Sequence, residues 1–250
     1  MSPKSDAFLT TSQDGSARLW DVRTNVCSGA LRCTTASPVA AFDHQGLVFA
    51  VVTSDGVTKL FDARQYEQGP FDTYVFDAGV PAVRMPASAS SVSFSLDGKQ
   101  LLVCAGGHLH VMDAFNGQRL QCLPVPSSNA FGVNAAPLCE PCFTPDGRCV
   151  LSGAADGLIH GWNTASGVEL QPPWRGHAGV PCCLKWSYSR ALAASGCTAG
   201  GVALWIPPPP ATEGHVGGAP QGLMQQAAQF PGQTGGLMAA MQPVMQQGAY

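Results

Sequence analysis

The sequence predicts an all-β fold assembled from repeated four-stranded sheets, and two observations in fixed register carry that expectation. The first is a recurring ending: a polar turn, a few alternating residues, then a large apolar residue, usually followed by an acid or amide. It is plainest at Asp14-Gly15-Ser16-Ala17-Arg18-Leu19-Trp20-Asp21 and returns at Asp55-Gly56-Val57-Thr58-Lys59-Leu60-Phe61-Asp62. Further copies are Gly107 to Asp113, Asp156 to Asn163, and Gly201-Val202-Ala203-Leu204-Trp205-Ile206. Their key positions are 20, 61, 112, 162 and 205, so the steps are 41, 51, 50 and 43 residues. The second observation is an aromatic inside an apolar run upstream of each later ending. Phe42, Phe94, Phe143 and Trp186 precede their endings by 19, 18, 19 and 19 residues.

A repeat of roughly 40–45 residues that closes on Trp-Asp is the signature of a WD-repeat β-propeller blade. The two longer steps require loop insertions. The expected architecture is four nearly complete blades plus part of a fifth, incomplete relative to the seven usual in the class. The propeller region is residues 1–206, with blades near 7–32, 38–77, 91–123, 140–171 and 181–206.

In the first blade, residues 7–12 and 16–21 read as two strands, with an outer strand near 26–32 and no inner one. The second has strands near 38–43, 47–53, 57–62 and 72–77, joined by Asp43-His44-Gln45-Gly46 and Ser54-Asp55-Gly56, both rich in turn formers. A small-residue loop from Ala78 to Ala89 follows. The third has strands near 91–95, 100–105, 108–112 and 118–123, then a loop from Pro124 to Pro137. The fourth has strands near 140–144, 148–153, 158–163 and 168–171. The last has strands near 181–186, 191–196 and 201–206, and no fourth strand follows. This count predicts an N-terminally truncated version of a seven-bladed protein, lacking about two and a half blades or roughly 100 residues at the repeat period. Closure of the gap by dimerisation is the competing expectation.

From Pro207 the composition shifts to Gly, Gln, Ala, Met and Pro, with Glu213 as the one charged side chain. With so few bulky apolar residues, residues 207–250 are expected to be a disordered tail. The four prolines at 207–210 end the last strand and serve as a spacer, with a polyproline ligand as the alternative.

Bulk composition agrees with many short strands and turns: 250 residues, 29 Gly, 20 Pro and only 12% charged residues. A net charge of −3, without a long run of either sign, argues against an electrostatically driven nucleic-acid or membrane surface. Met1 to Asp6 lacks the apolar core of a signal peptide. No apolar run approaches the roughly 20 residues that span a bilayer. Ten scattered Cys read as small buried strand residues in a reducing compartment.

Chemistry is sparse. WD blades are tied by a hydrogen-bonded tetrad of His, Ser or Thr, Asp and Trp. Candidate members are Asp14 with Trp20, Asp55 facing Phe61, and Asp156 with Trp162. His177 and Trp205 sit in a blade with Ala199-Gly200 where Asp is expected. These eight positions are read as structural, because each buried polar group needs a partner. Cys139-Glu140-Pro141-Cys142 is a lone C-x-x-C, and a zinc site needs a second ligand pair. No phosphate loop, nucleophile elbow or paired-carboxylate pattern occurs. The expectation is therefore no catalytic, cofactor-binding or metal site, and a protein that is not an enzyme.

Several stretches go beyond the generic repeat. They are Phe42-Asp43-His44-Gln45-Gly46-Leu47-Val48-Phe49-Ala50; Lys59 to Arg64 running on to Gln68-Gly69-Pro70-Phe71; and Met112-Asp113-Ala114-Phe115-Asn116-Gly117. Phe143-Thr144-Pro145-Asp146 with Asp156 to Asn163, and Leu204-Trp205-Ile206-Pro207, complete the set. Together they resemble the WD-repeat subunit of the COMPASS-type histone lysine methyltransferase complex over about residues 8–207. Members of that family also occur in cleavage/polyadenylation and nuclear phosphatase complexes. The resemblance implies a nuclear, non-catalytic scaffold that binds a SET-domain histone methyltransferase and links it to transcribing RNA polymerase II. No direct nucleic-acid or membrane contact and no cofactor is implied, and no individual partner-binding residue carries over. A generic WD-repeat adaptor in RNA 3′-end processing or ubiquitin ligation is the alternative reading.

Overall fold

In the computed structural model, residues 1–75, 89–126 and 139–206 are described, together with the backbone of Gln242–Met245. They form five antiparallel sheets, one per blade. Blade one holds β1 (Ala7–Thr11), β2 (Ser16–Asp21) and β3 (Val26–Arg32). Blade two holds β4 (Val39–Phe42), β5 (Val48–Val52), β6 (Val57–Asp62) and β7 (Asp72–Val75), with a 3-10 turn at Tyr66–Gln68 before β7. Blade three is β8 (Ala89–Phe94), β9 (Gln100–Ala105), β10 (His108–Asp113) and β11 (Arg119–Pro124). Blade four is β12 (Cys142–Phe143), β13 (Cys149–Gly153), β14 (Ile159–Asn163) and β15 (Glu169–Trp174). Blade five is β16 (Pro181–Trp186), β17 (Ala193–Cys197), β18 (Val202–Ile206) and β19 (Gln242–Met245).

Within each sheet the strands pair in chain order as simple meanders. The turns explain why. Asp-Gly steps recur between strands, and the glycine takes the left-handed conformation, as at Gly56 with φ 81° and Gly157 with φ 85°. The preceding hydroxyl closes several turns: Ser95 Oγ donates to Asp97 at 2.6 Å and Thr144 Oγ1 to Asp146 at 2.6 Å.

Two expectations need correction. The last blade does not stop at three strands, because β19 pairs antiparallel with β18, from Ala203 opposite Met245 to Ile206 opposite Gln242. Those four residues accordingly depart from the disordered tail expected over 207–250. The chain returns to the sheet after 35 residues, so the strand is invisible to a search that expects it just past Ile206. Pro243 lacks an N–H, which an outermost strand tolerates. The rest of that tail, and most of the expected loops at 78–89 and 124–137, lie outside the described residues.

Alternation along the strands gives each sheet two apolar faces, and neighbouring sheets bury them against each other. Ala17 of blade one meets Phe49, Val51 and Phe61 of blade two. The opposite face of blade two, with Ala50, Val52, Leu60 and Tyr74, packs on Phe94, Leu101, Val103 and Met112 of blade three. Blade three turns Leu102, Leu109 and Val111 toward Phe143, Val150 and Trp162 of blade four. Leu151, Ile159 and Trp174 of blade four meet Leu184, Trp186 and Trp205 of blade five. Burying each such side chain stabilises the fold by about 1.5–3 kcal/mol.

Candidate functional site

The polar groups inside the blades come first, because they decide which residues are free to act. In blade five Trp205 Nε1 donates to Ser195 Oγ at 2.7 Å, and that oxygen lies 2.6 Å from His177 Nε2. The hydroxyl accepts from the indole, so its own proton goes to the imidazole. Burial lowers the His177 pKa, which favours the neutral, accepting ring. Three tetrad positions are thus joined, with Ala199 exposed at the turn where the fourth would lie. In blade one Trp20 Nε1 donates to Thr10 Oγ1 at 2.8 Å, while Asp14 is held separately by the Ser16 hydroxyl at 2.6 Å and the Ser16 amide at 2.9 Å. Those Ser16 hydrogen bonds lower the Asp14 pKa. In blade two Asp55 accepts from the Thr53 hydroxyl, and Phe61 stacks on Phe49 with centroids 5.1 Å apart.

Blade four uses a different device. His160 Nε2 lies 2.8 Å from Asp156 Oδ2, and His160 Nδ1 lies 2.6 Å from Glu169 Oε1. The imidazole is buried beside Trp162, at 6.0 Å between centroids. This bridge ties the β13–β14 turn to β15. Thr10, Ser195 and Glu169 escaped the sequence reading, and His160 was weighed there only as a distant partner of the C-x-x-C pair. Their one available signal was an oxygen- or nitrogen-bearing residue across the strand pair from each ending, or two residues before it.

Burial acts on both thiols of the C-x-x-C pair, and it pushes the Cys142 pKa up to about 12. Cys139 is buried, its sulfur takes the Gly153 N–H at 3.1 Å, and burial pushes its pKa up to about 11. A thiol held protonated is a poor metal ligand. Among the described residues no group of three or more His, Cys, Asp or Glu is arranged around one point.

What remains for function is the two rims. In an antiparallel meander successive turns alternate between ends, so the turns at Asp14, Asp55 and Asp156 share one rim. Those at Asp97 and Asp146 lie on the other, together with the turns after β6 and β10. On that second rim, residues 62–71 fold over the start of β5 and enclose a cavity of about 530 Å³. Its walls include Leu47, Pro70 and Phe71, with Arg64 and Gln68 as polar groups. Phe71 is 59% exposed, and Arg64 makes no ion pair among the described residues. Phe115, in the turn after β10, is 72% exposed. A second cavity of about 300 Å³ lies between Pro145 and Asp146 of blade four and Trp186, Tyr188 and Arg190 of blade five. The central channel, about 380 Å³, takes lining from all five blades, including Thr11, Ala40, Ser91, Glu140 and Cys182. Tyr188 Oη, after β16, meets His44 Nε2 of the β4–β5 turn at 3.1 Å.

The two most specific sequence stretches also clip blades together. Tyr66 donates its hydroxyl proton to Ser28 O of blade one at 2.6 Å. Tyr74 Oη sits 2.9 Å from Phe115 O of blade three and 2.9 Å from Asp72 Oδ2. Burial and that carboxylate push the Tyr74 pKa up to about 12. Gly117 lies under the Tyr74 ring with φ 68°, and a β-carbon there would come within 2.3 Å of it. Thus Gly117 of the Asp-Ala-Phe-Asn-Gly turn is required by packing, which leaves Phe115 as its outward-facing part.

Residues 131–163 match the WD domain, G-beta repeat family. The chain is 38% identical over 208 residues to Protein ANTHESIS POMOTING FACTOR 1 of Arabidopsis thaliana, covering 83% of this chain and 58% of that protein. It is 32% identical over 203 residues to COMPASS component SWD2 of Saccharomyces cerevisiae, covering 77% of this chain and 57% of that protein. The chain therefore spans less than two thirds of the length of these relatives. Among solved structures, the Cps50 (Swd1) β-propeller domain of Myceliophteria thermophila superposes with a TM-score of 0.65 at 13% identity, over 85% of this chain and 66% of that one. Five meandering sheets, a matching repeat and a shared propeller architecture give the chain a WD-repeat β-propeller fold, with a sequence similar to COMPASS-type WD subunits.

Proposed function

We propose that this protein is a non-catalytic scaffold subunit of a chromatin-modifying complex. In that role it binds a SET-domain histone methyltransferase in the nucleus and supports histone lysine methylation coupled to RNA polymerase II transcription. The observation that carries this reading is the 32% identity to COMPASS component SWD2 over 203 residues. The architecture suits the role, since a propeller holds short loops on rigid rims and binding residues concentrate on such loops. The docking rim is the one that carries Leu47, Arg64, Phe71 and Phe115. Exposed aromatics beside an unpaired Arg are the residue types that anchor protein interfaces.

Affinity purification of the tagged full chain from nuclear extract, with mass spectrometry of its partners, tests the proposal. The expected result is recovery of a SET-domain methyltransferase with its companion subunits. Phe71→Ala with Arg64→Glu should cut that recovery at least tenfold, a loss of about 1.4 kcal/mol or more. Changing Asp55 and Asp156 on the opposite rim to Lys should leave it within twofold. Recovery of ubiquitin-ligase or RNA-processing factors without a methyltransferase would refute the complex assignment. Methyltransferase recovery that ignores the Phe71 and Arg64 changes would refute the rim alone.

A further inference from the structure

The cleft between blades four and five opens on the rim that also carries Phe71 and Phe115. Trp186, only 8% exposed, lines its cavity of about 300 Å³, and Pro145, Tyr188 and Ala191 add apolar surface. The indole N–H of Trp186 meets no acceptor among the described residues, whereas those of Trp20 and Trp205 are taken by Thr10 and Ser195. Nor is that nitrogen sealed away, as the unpartnered Thr58 hydroxyl is. A nearly buried donor of this kind calls for an acceptor, and a group entering the cavity supplies one. Tyr188 is 57% exposed yet held in place. Its hydroxyl meets His44 of blade two at 3.1 Å, and the two rings pack edge to face at 4.6 Å between centroids. That wall is set before anything binds, which spares the cost of ordering it.

Two charges of opposite sign stand at the cavity on different blades. Asp146, in the turn between β12 and β13, accepts from the Thr144 hydroxyl at 2.6 Å and the Arg148 N–H at 3.1 Å. Arg190, in the turn between β16 and β17, is exposed. Neither makes an ion pair among the described residues.

We propose that this cleft is a second docking pocket and takes an extended segment of a partner protein, one large aromatic side chain flanked at alternate positions by an acid and a base. The aromatic fills the cavity, the acid meets Arg190 and the base meets Asp146. Alternate positions place all three side chains on one side of an extended chain. Tyr suits the centre, since its ring is apolar and its oxygen accepts the indole proton. A segment with charges of one sign leaves either Asp146 or Arg190 unanswered. The occupant is named by its chemistry, so the assignment stands whichever complex the chain joins, although it shares a rim with the methyltransferase reading.

Fluorescence anisotropy of the purified full chain with a labelled peptide tests it, the peptide carrying Glu, Tyr and Lys at alternate positions between serines. The wild type should give a saturable rise. Putting Ala for Tyr in the peptide should weaken binding about tenfold, and Ala191→Trp, which fills the cavity from an exposed position, should weaken it as much. Arg190→Glu leaves two acids at the cavity. That chain should favour a peptide with Lys on both sides of Tyr by about threefold, the worth of an exposed ion pair, while the wild type favours the mixed peptide. The Arg190 side chain makes no ion pair among the described residues, so this variant carries the test where circular dichroism shows that Ala191→Trp has lost its fold. Absence of saturable binding would overturn the proposal. So would binding that survives Ala191→Trp in a folded chain, or an Arg190→Glu chain that keeps the wild-type preference. No methyltransferase enters these measurements, so failure here leaves the complex assignment standing, and failure of that assignment leaves the pocket standing.

Discussion

At the residue scale, Ser195 shows how one buried hydroxyl can settle a buried indole and a half-buried imidazole at once. Its oxygen takes the Trp205 indole proton and its own proton goes to His177. Replacing it by Ala leaves the buried indole N–H unsatisfied, at about 1–3 kcal/mol, and takes a partner from the half-buried imidazole, at about 1 kcal/mol. Ser195→Ala should therefore lower the urea midpoint with an unchanged slope, by roughly 2–4 kcal/mol in all. A change below half a kilocalorie would show that water replaces the hydroxyl. The Trp at 205 was legible from its place in the repeat. Ser195 was not, because small polar residues occur throughout these strands and only the fold singles out the one opposite the indole.

His110 makes the second residue-scale case. Burial, with Arg119 and His108 nearby, lowers its pKa from 6.5 to about 4. Above pH 6.5 the ring is neutral in folded and unfolded chains alike, so stability is at its full value. As pH falls from 6.5 toward 4 the unfolded chain takes up the proton and the folded one does not. Stability is therefore lost across that window, by roughly 1–3 kcal/mol after solvent screening. Urea midpoints measured at pH 7.5 and pH 5 should show the loss, and His110→Asn should flatten most of it. Equal slopes in both proteins would place the proton elsewhere.

At the scale of elements, the strands of the meanders were legible to within a few residues, since each depends on a local alternation bounded by turn formers. β19 was not, since its identity depends on a partner rather than on its own pattern: β18 offers an edge, and a distant segment fills it. Ending the chain at residue 241 should therefore speed amide exchange across β18 by at least tenfold while β13 and β14 keep their protection. Unchanged exchange in β18 would mean that the edge holds without its outer strand. The candidate rim divides in the same way. Arg64 to Phe71 stood out in the sequence, but their cavity depends on the 62–71 segment folding over Leu47, and no local pattern encodes that contact.

At the scale of the whole molecule, blades are held by sheet-to-sheet burial and by clips that cross between them. Tyr66 reaches back to blade one, Tyr74 forward to blade three, and Gln121 Nε2 joins Ala165 O of blade four at 2.9 Å. The interfaces are unequal, however. Among the described residues, the cluster between blades two and three holds twelve buried residues, against four between blades one and two. A quasi-one-dimensional array of this kind opens where its neighbour terms are weakest, and that is at blade one.

The free thiols turn that gradient into something chemistry can read. Cys27 and Cys183 lie in the open, Cys33, Cys122, Cys142 and Cys182 are half-covered, and Cys104, Cys139, Cys149 and Cys197 are sealed inside. Cys139 is doubly protected, since burial also keeps its sulfur from ionising into the reactive thiolate. The chain thus carries its own alkylation clock, with fast hands on the outer strands and slow ones between the blades. The order in which the slow ones move records the order in which the sheets part.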